Sequence, residues 1–470
     1  MAKTEEFQIR PKGWENDADE ERIRFSSLDY LAASTYNSYA LFFRLDDAAR
    51  ANAVEVLKKG LAVTLAQCRQ LVGTIEKNAG DDDHSFVKRR DSAVKLVVKT
   101  FAPGDGVPSL DELEKAHFAS SALGDSSRLL VVDGMTYGEK PECLPSAKPV
   151  VAAFQANLVP GGLVFLMNHH HYANDVMGWA NSVHQLADNC RALVAGTPLP
   201  PWDPANLDAS RFTATGFPSA GKVDGPIPPA RHPDLREHAS LLFHLPQSKA
   251  AALKQLATPS DPDRWISTYD AFTAMIWRTL TRHRAALYKS DPAGSPLFLE
   301  ARNLFWAAAS AYAPDPLLTT HAVASASPDD GGVPLARLAS YIRSLTDGCD
   351  QAALDAALAT LAPVRDKTVL FTRVNSFPPL TMATTDWRDT DVCGADFGFG
   401  KPVAFRHLFD AVTEGLVLIY PPRAAAGTDE GCEFVLMVEK EVVDGLMADI
   451  EFGRYFEFRG YEVRRYEVKG

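Results

Sequence analysis

Nine of the 31 prolines in this 470-residue chain fall between Pro198 and Pro233, alongside Gly216, Gly221 and Gly225. Proline fixes φ and lacks a backbone N–H, so a segment this dense in proline cannot run through the interior of a helix or a sheet. Residues 196–235 therefore read as an extended crossover linker. It divides the chain into residues 1–195 and 236–470, each with helical and strand patterns of its own. Two domains of similar size fit the length, because single hydrophobic cores stop growing beyond about 250–300 residues. No internal repeat or low-complexity tract interrupts either half, and Asp81-Asp82-Asp83 reads as a short solvated loop.

In the first half Leu57, Leu61, Val63, Leu65, Cys68 and Leu71 recur at helical spacing. Leu163 to Met167 is a short apolar run after Gly161-Gly162, which predicts a buried strand. Three histidines follow at once, His169, His170 and His171, and then Val176, Trp179, Ala180, Val183, Leu186, Ala187 and Cys190 mark one face of a helix. The histidines thus stand where a strand hands over to a helix. In the second half Tyr269 to Leu280 predicts a helix, and Leu416–Ile419 and Phe434 to Val438 predict strands. Strands and helices mix throughout, so the class is α/β or α+β.

Composition narrows the function. With 48 Lys+Arg against 60 Asp+Glu the formal charge is -12, opposite to the basic surface that phosphate contacts with nucleic acid require. The six cysteines form no CxxC pair, which implies neither a zinc ribbon nor a disulfide framework and suits a reducing compartment. Met1 to Glu6 lacks the apolar core of a signal peptide, and no stretch approaches the roughly 20 apolar residues of a membrane span. We expect a soluble, cytoplasmic protein.

A strand end exposes at least one of three successive imidazoles to a cleft while its neighbours alternate to the other side. An unperturbed pKa near 6.5 suits an exposed one to general-base work at cellular pH. Asp175, four residues beyond His171, can orient the imidazole, brace the turn, or simply cap the helix that follows it. Zinc is the competing use of neighbouring imidazoles and a carboxylate. A strand-end triplet cannot converge all its rings on one ion, however, and no distant Cys or His pattern completes a tetrahedral set, so no metal is expected. His169, outside the spacing that follows, suits a core role. Ser267 and Thr268 ahead of Asp270 have capping-box character, and a helix start of this kind can also receive phosphate.

Taken together, the motifs have a family look. His170-His171-Tyr-Ala-Asn-Asp175 has the form HHxxxD, and Asp396-Phe-Gly-Phe-Gly400-Lys-Pro402, about 220 residues later, resembles the DFGWG segment of the BAHD acyltransferases with Phe399 in place of Trp. Phe25-Ser-Ser-Leu-Asp29, Ile266 to Trp277, and Thr384-Thr-Asp-Trp387 match further family segments in the right order, and together they cover nearly the whole chain. HHxxxD followed by Val176-Met-Gly178 is similar to the fungal branch that includes trichothecene acetyltransferase-like enzymes.

The resemblance implies a two-domain fold of the chloramphenicol acetyltransferase type. Coenzyme A and an acyl acceptor would enter a central channel between the domains from opposite faces. It makes His171 the base that deprotonates an acceptor hydroxyl or amine as it attacks the thioester, with no acyl-enzyme. Thr385 matches the hydroxyl aimed at the oxyanion; Asp386, a carboxylate where a small polar residue is usual, should point away from it. Asp175 would turn from the channel to pair with Arg302, although the pattern usual after Arg302 is missing and Ala313-Pro-Asp-Pro316 stands near that place. Asp396, Gly398 and Gly400 would be structural. Ser267, Thr268 and Arg264 would border coenzyme A, which with its acyl group is a co-substrate and not a resident cofactor. The expected partners are an acyl-CoA, most simply acetyl-CoA, and a small, largely apolar secondary metabolite; the expected state is a monomer. Two alternatives stand beside this: a condensation enzyme of the peptide-synthetase type, and a family member that binds small molecules without catalysis.

Overall fold

The computed structural model describes residues 3–124, 134–135, 137–213, 221–301, 316–325, 328–371, 373–408, 415–423 and 429–462. Its strands in the first half are β1 (Lys3–Ile9), β2 (Glu20–Arg24), β3 (Tyr36–Arg44), β4 (Thr74–Lys77), β5 (His84–Arg89), β6 (Val94–Thr100), β7 (Ala152–Val159) and β8 (Gly162–His170). Those in the second half are β9 (His238–Leu245), β10 (Phe298–Ala301), β11 (Met382–Asp386), β12 (Pro402–His407), β13 (Leu416–Ile419), β14 (Cys432–Glu439) and β15 (Glu457–Tyr461).

Two mixed six-stranded sheets organise them, in the orders β1-β6-β7-β8-β3-β12 and β10-β11-β13-β14-β9-β15, with a small sheet β2-β5-β4 beside the first. The fold is the mixed α/β one that the sequence predicts. The strand that follows Asp396–Gly400 does not stay with its own half: β12 pairs antiparallel with β3, placing His407 opposite Tyr39 at the edge of the first sheet.

Burial explains why the apolar runs become strands. All nine residues of β8 are buried. Phe165 and Met167 join one core cluster, while Val164 and Leu166 join another on the opposite face, so the run is continuously apolar instead of alternating. Helix Val176–Ala195 buries Trp179, Val183, Leu186 and Cys190, and it packs on helix Arg50–Gln67. Their close approach depends on Gly60, where an added Cβ would lie 2.2 Å from the Cys190 Sγ. Gly196, with φ of 65°, ends the helix in the left-handed region and releases the chain into the crossover.

Charge ties the two sheets together. Arg406 of β12, fully buried, contacts Glu433 of β14 at 2.5 Å and Glu462 at 3.5 Å, and Arg459 meets Glu433 at 2.6 Å. Asp81, Asp82 and Asp83 also pair, with Arg24, Lys77 and Lys367 respectively. That loop is less solvated than its composition suggests.

Candidate active site

A cavity of about 830 Å³ opens where the C-terminal ends of β8 and β11 approach one another. His171, Asp175, Thr385, Asp386, Trp387 and His407 are among its walls. The histidine triplet divides its work as strand alternation dictates. His169 and His170 are fully buried, and only His171 reaches the cavity.

Beyond β8 the chain makes a single 3-10 turn, His171–Ala173, before the helix begins. His170 stabilises that turn, with its Nδ1 accepting from the Tyr172 N–H at 3.3 Å and its Nε2–H donating to the Cys143 carbonyl at 2.9 Å. The His171 Nδ1 lies 3.2 Å from the Asn174 carbonyl oxygen. A carbonyl only accepts, so Nδ1 carries the proton and Nε2 keeps its lone pair. Burial holds the His171 pKa below its ordinary value, against smaller upward pulls from the Asn174 and His171 carbonyls and from Asp175. Burial thus favours the neutral form of the imidazole.

Asp175 caps the helix: its Oδ1 accepts from the Gly178 N–H at 2.8 Å. Among the described residues it forms no ion pair, and Arg302, with Ala313 to Asp315, lies outside them. Thr385, near the end of β11, accepts a hydrogen bond from the Trp387 Nε1–H at 2.9 Å. Because an indole N–H only donates, the threonine hydroxyl hydrogen is left to be donated elsewhere. Asp386, expected to point away, still borders the cavity, whereas Thr384 alternates to the other face. There Thr384 meets the Tyr269 hydroxyl. Arg388 grips the Asp386 carboxylate with Nε at 2.9 Å and Nη2 at 2.6 Å, over the Phe272 ring. The negative charge beside Thr385 is thereby matched by a guanidinium.

The remaining expected positions are dispersed. Ser267 caps helix Thr268–Tyr288 in a reciprocal box with Asp270, at 3.2 and 2.6 Å. Thr268 is the first residue of that helix, and neither residue lines the cavity. Arg264 lines a second, smaller pocket of about 380 Å³ with Trp265, Arg337 and Arg343. Asp396 accepts from the Gly398 N–H at 2.9 Å, Phe397 is buried against Phe43, and Gly398 and Gly400 have φ of 77° and 152°. At Gly398 a Cβ would press on the Arg191 Cα at 3.0 Å, so this loop holds the first sheet against the helix that follows the histidines.

Several wall residues had no local signal in the sequence. His407 is fully buried and faces the Asn37 Oδ1 with its Nε2 at 3.1 Å; burial pushes its pKa down to about 3. Asn37 comes from β3, the neighbour of the edge strand β12, so the pair depends on the β3–β12 register and not on any spacing along the chain. The crossover, read as a linker, supplies Trp202, Asn206, Leu207 and Phe212 to the wall. The Phe212 carbonyl accepts from the Ser27 N–H at 3.0 Å, which fixes that part of the segment against the first half. Asp29 also lines the cavity, and burial raises its carboxyl to about 7 even though the Ser26 N–H and hydroxyl pull it down and Asp175 adds a small upward push.

Comparison with known proteins supports the fold and gives the family. Residues 35–190 match the model of the trichothecene 3-O-acetyltransferase-like N-terminal domain. Acetyltransferase FGR3 of Gibberella zeae is 48% identical over 98% of this chain and 95% of its own. Trichothecene 3-O-acetyltransferase TRI101 of Fusarium sporotrichioides is 23% identical over 91% of this chain and 94% of its own. The crystal structure of F. graminearum TRI101 complexed with coenzyme A and T-2 mycotoxin superposes with a TM-score of 0.74 at 21% identity, covering 94% of this chain and all of that one. Vinorine synthase superposes at 0.61, with 19% identity and 97% of this chain covered. Two sheets meeting at a histidine-lined cavity define an acyltransferase of the chloramphenicol acetyltransferase type. The chain belongs to the BAHD acyltransferases, in the fungal branch of trichothecene 3-O-acetyltransferase-like enzymes.

Proposed function

We propose that this enzyme transfers an acetyl group from acetyl-CoA to a hydroxyl of a small, largely apolar secondary metabolite, with His171 as general base. The observation that carries the reading is the Nδ1–H of His171 on the Asn174 carbonyl, which leaves Nε2 as the basic atom in a cavity that also holds the Thr385 hydroxyl. An acceptor oxygen attacks the thioester carbonyl as Nε2 takes its proton. The oxyanion of the tetrahedral intermediate then accepts the Thr385 O–H, whose oxygen is held by Trp387. Collapse breaks the carbon–sulfur bond, and the leaving thiolate recovers the proton from Nε2.

The acetyl group is supported by the name of the 48% identical relative, and coenzyme A by the TRI101 complexes. In this reading coenzyme A extends beyond the cavity to Ser267, Thr268 and Arg264, none of which lines it, and Asp175 supports the base by holding the turn. The enzyme acts as a cytoplasmic monomer, since one chain supplies both sides of the cavity.

The test is mass spectrometry of a metabolite extract incubated with acetyl-CoA and either the wild-type protein or His171→Ala. A product heavier by one acetyl group, formed by the wild type alone, is expected. Failure of the wild type to bind acetyl-CoA overturns the reading.

A further inference from the structure

The proposed chemistry uses one histidine of the triplet and leaves His169 unexplained. The His169 ring is fully buried on β8, a strand held on both sides, with Ala152 of β7 and Asn37 of β3 in register with residue 169. Its Nδ1 lies 3.0 Å from the Asn174 side-chain amide. Asn174 is also the residue whose carbonyl holds the His171 Nδ1–H.

We propose that His169 is a positioning residue that acts through Asn174 to keep His171 in the tautomer and orientation of a base. The inference rests on the reading of His171 as that base. Three observations support it. His169 is anchored in the middle of a sheet while Asn174 sits on the turn, so their contact ties the end of the turn to the rigid strand. Among the described residues the Asn174 Oδ1 and the His169 Nε2 find no other hydrogen-bond partner, which makes this contact the sole polar tie of the Asn174 side chain. Gly178 lies close to Asn174, so that an added Cβ there would stand 3.1 Å from the Asn174 Cβ.

The triplet is then one device. His170 pins the start of the turn through the Tyr172 N–H, His169 pins its end through Asn174, and His171 is carried between them. Without the His169 tie the Asn174 carbonyl is free to leave the His171 Nδ1. An imidazole that has lost its carbonyl partner redistributes its proton toward Nε2, the atom that must remain basic.

The test is two-bond ¹H–¹⁵N correlation of histidine-labelled protein, which reads imidazole tautomers without an acceptor; the His171 signals are assigned by their loss in His171→Gln. The wild type should show His171 protonated on Nδ1. His169→Leu and Asn174→Ala should each give a mixed or Nε2-protonated His171, and the double variant should be no worse than either. His169→Asn, which places an amide near the position of Nδ1, should restore the wild-type tautomer. In parallel, the kcat for thiol release from acetyl-CoA should fall about tenfold in the two single variants, with coenzyme A affinity by calorimetry unchanged.

A folded His169→Leu with the wild-type tautomer and rate overturns the proposal. Should His169→Leu fail to fold, Asn174→Ala decides, because it keeps the backbone carbonyl and removes only the tie. Full thiol release by His171→Ala would instead overturn the base reading, and the tautomer measurement on His169 would separate the two failures.

Discussion

The indole N–H of Trp387 points at the Thr385 hydroxyl oxygen from 2.9 Å, two residues along the same strand end. The contact occupies one lone pair of the oxygen and leaves the O–H to be donated elsewhere. Thr385→Val keeps the β-branched shape and removes the donor. Its kcat for thiol release from acetyl-CoA should fall by about 10²-fold, the scale of a lost oxyanion donor. Thr385→Ser should stay within severalfold of wild type, and Trp387→Phe should fall between them. Equal rates in the valine and serine variants would remove Thr385 from the mechanism.

His171 titrates below its ordinary value because of burial. A base must be neutral, so the acid limb of kcat against pH should lie below 6.5, with a plateau through neutrality. His171→Ala should lower turnover by at least about 10²-fold and abolish that limb. A limb centred above 6.5 would show that a different group, or a charged His171, governs the rate.

Stability should respond to the same burial, with its sign set by the unfolded chain. Burial pushes His169 to about 3, His170 to about 4 and His407 to about 3, whereas all three bind protons near 6.5 once unfolded. Between pH 6.5 and 4 the unfolded state therefore holds up to three more protons, and stability falls with pH at up to about 4 kcal/mol per unit. Asp29, raised to about 7, opposes this: the fold holds its proton first, which adds stability as pH drops from 7 toward 4. Urea titrations across this window should show a net loss on acidification, and it should be smaller by about one proton in His407→Phe.

The cap at Asp175 separates charge from geometry. Asp175→Asn keeps an oxygen for the Gly178 N–H, so unfolding should be nearly unchanged, whereas Asp175→Ala should cost about 1 kcal/mol. If the asparagine variant loses as much stability as the alanine, the carboxylate charge matters more than its hydrogen bond.

Arg406 and Glu433 form a buried pair between the sheets, so truncating one partner strands the other. Arg406→Met should destabilise by about 3–5 kcal/mol in a denaturant titration. Adding Glu433→Gln and Glu462→Gln should recover part of that loss. A surface-like effect below about 1 kcal/mol would mean that water reaches the network.

Those residues whose signal is local were legible in the sequence. β13 spans Leu416–Ile419 as the apolar run predicts, helix Val176–Ala195 starts after Asp175, and Ser267 forms its capping box. Helix Thr268–Tyr288 runs eight residues past Leu280 because its second half is held by tertiary contacts, such as the Arg284 guanidinium on Glu439, which no periodicity carries. The cavity was legible only where a motif marked it, as at Asp29, His171, Asp175 and Thr385 to Trp387. Asn37 and His407 meet across a strand pairing 370 residues apart, and Trp202 and Phe212 sit in a segment whose composition signals only that it is neither helix nor strand. Arg264 was carried over with the resemblance of the segment around Ile266 to Trp277, and it lines the smaller pocket and not this cavity.

The return of β12 to the first sheet sets a timetable for synthesis. β3 ends at Arg44 and its edge partner begins at Pro402, so at about 5–20 residues per second that edge waits roughly 20–70 s on the ribosome. During that interval its unpaired N–H and C=O groups are a template for another strand. The N-terminal half cannot close its sheet before nearly the whole chain has emerged. A fragment ending in the crossover would be prone to associate through β3 unless a peptide spanning residues 396–408 were supplied to take the vacant edge.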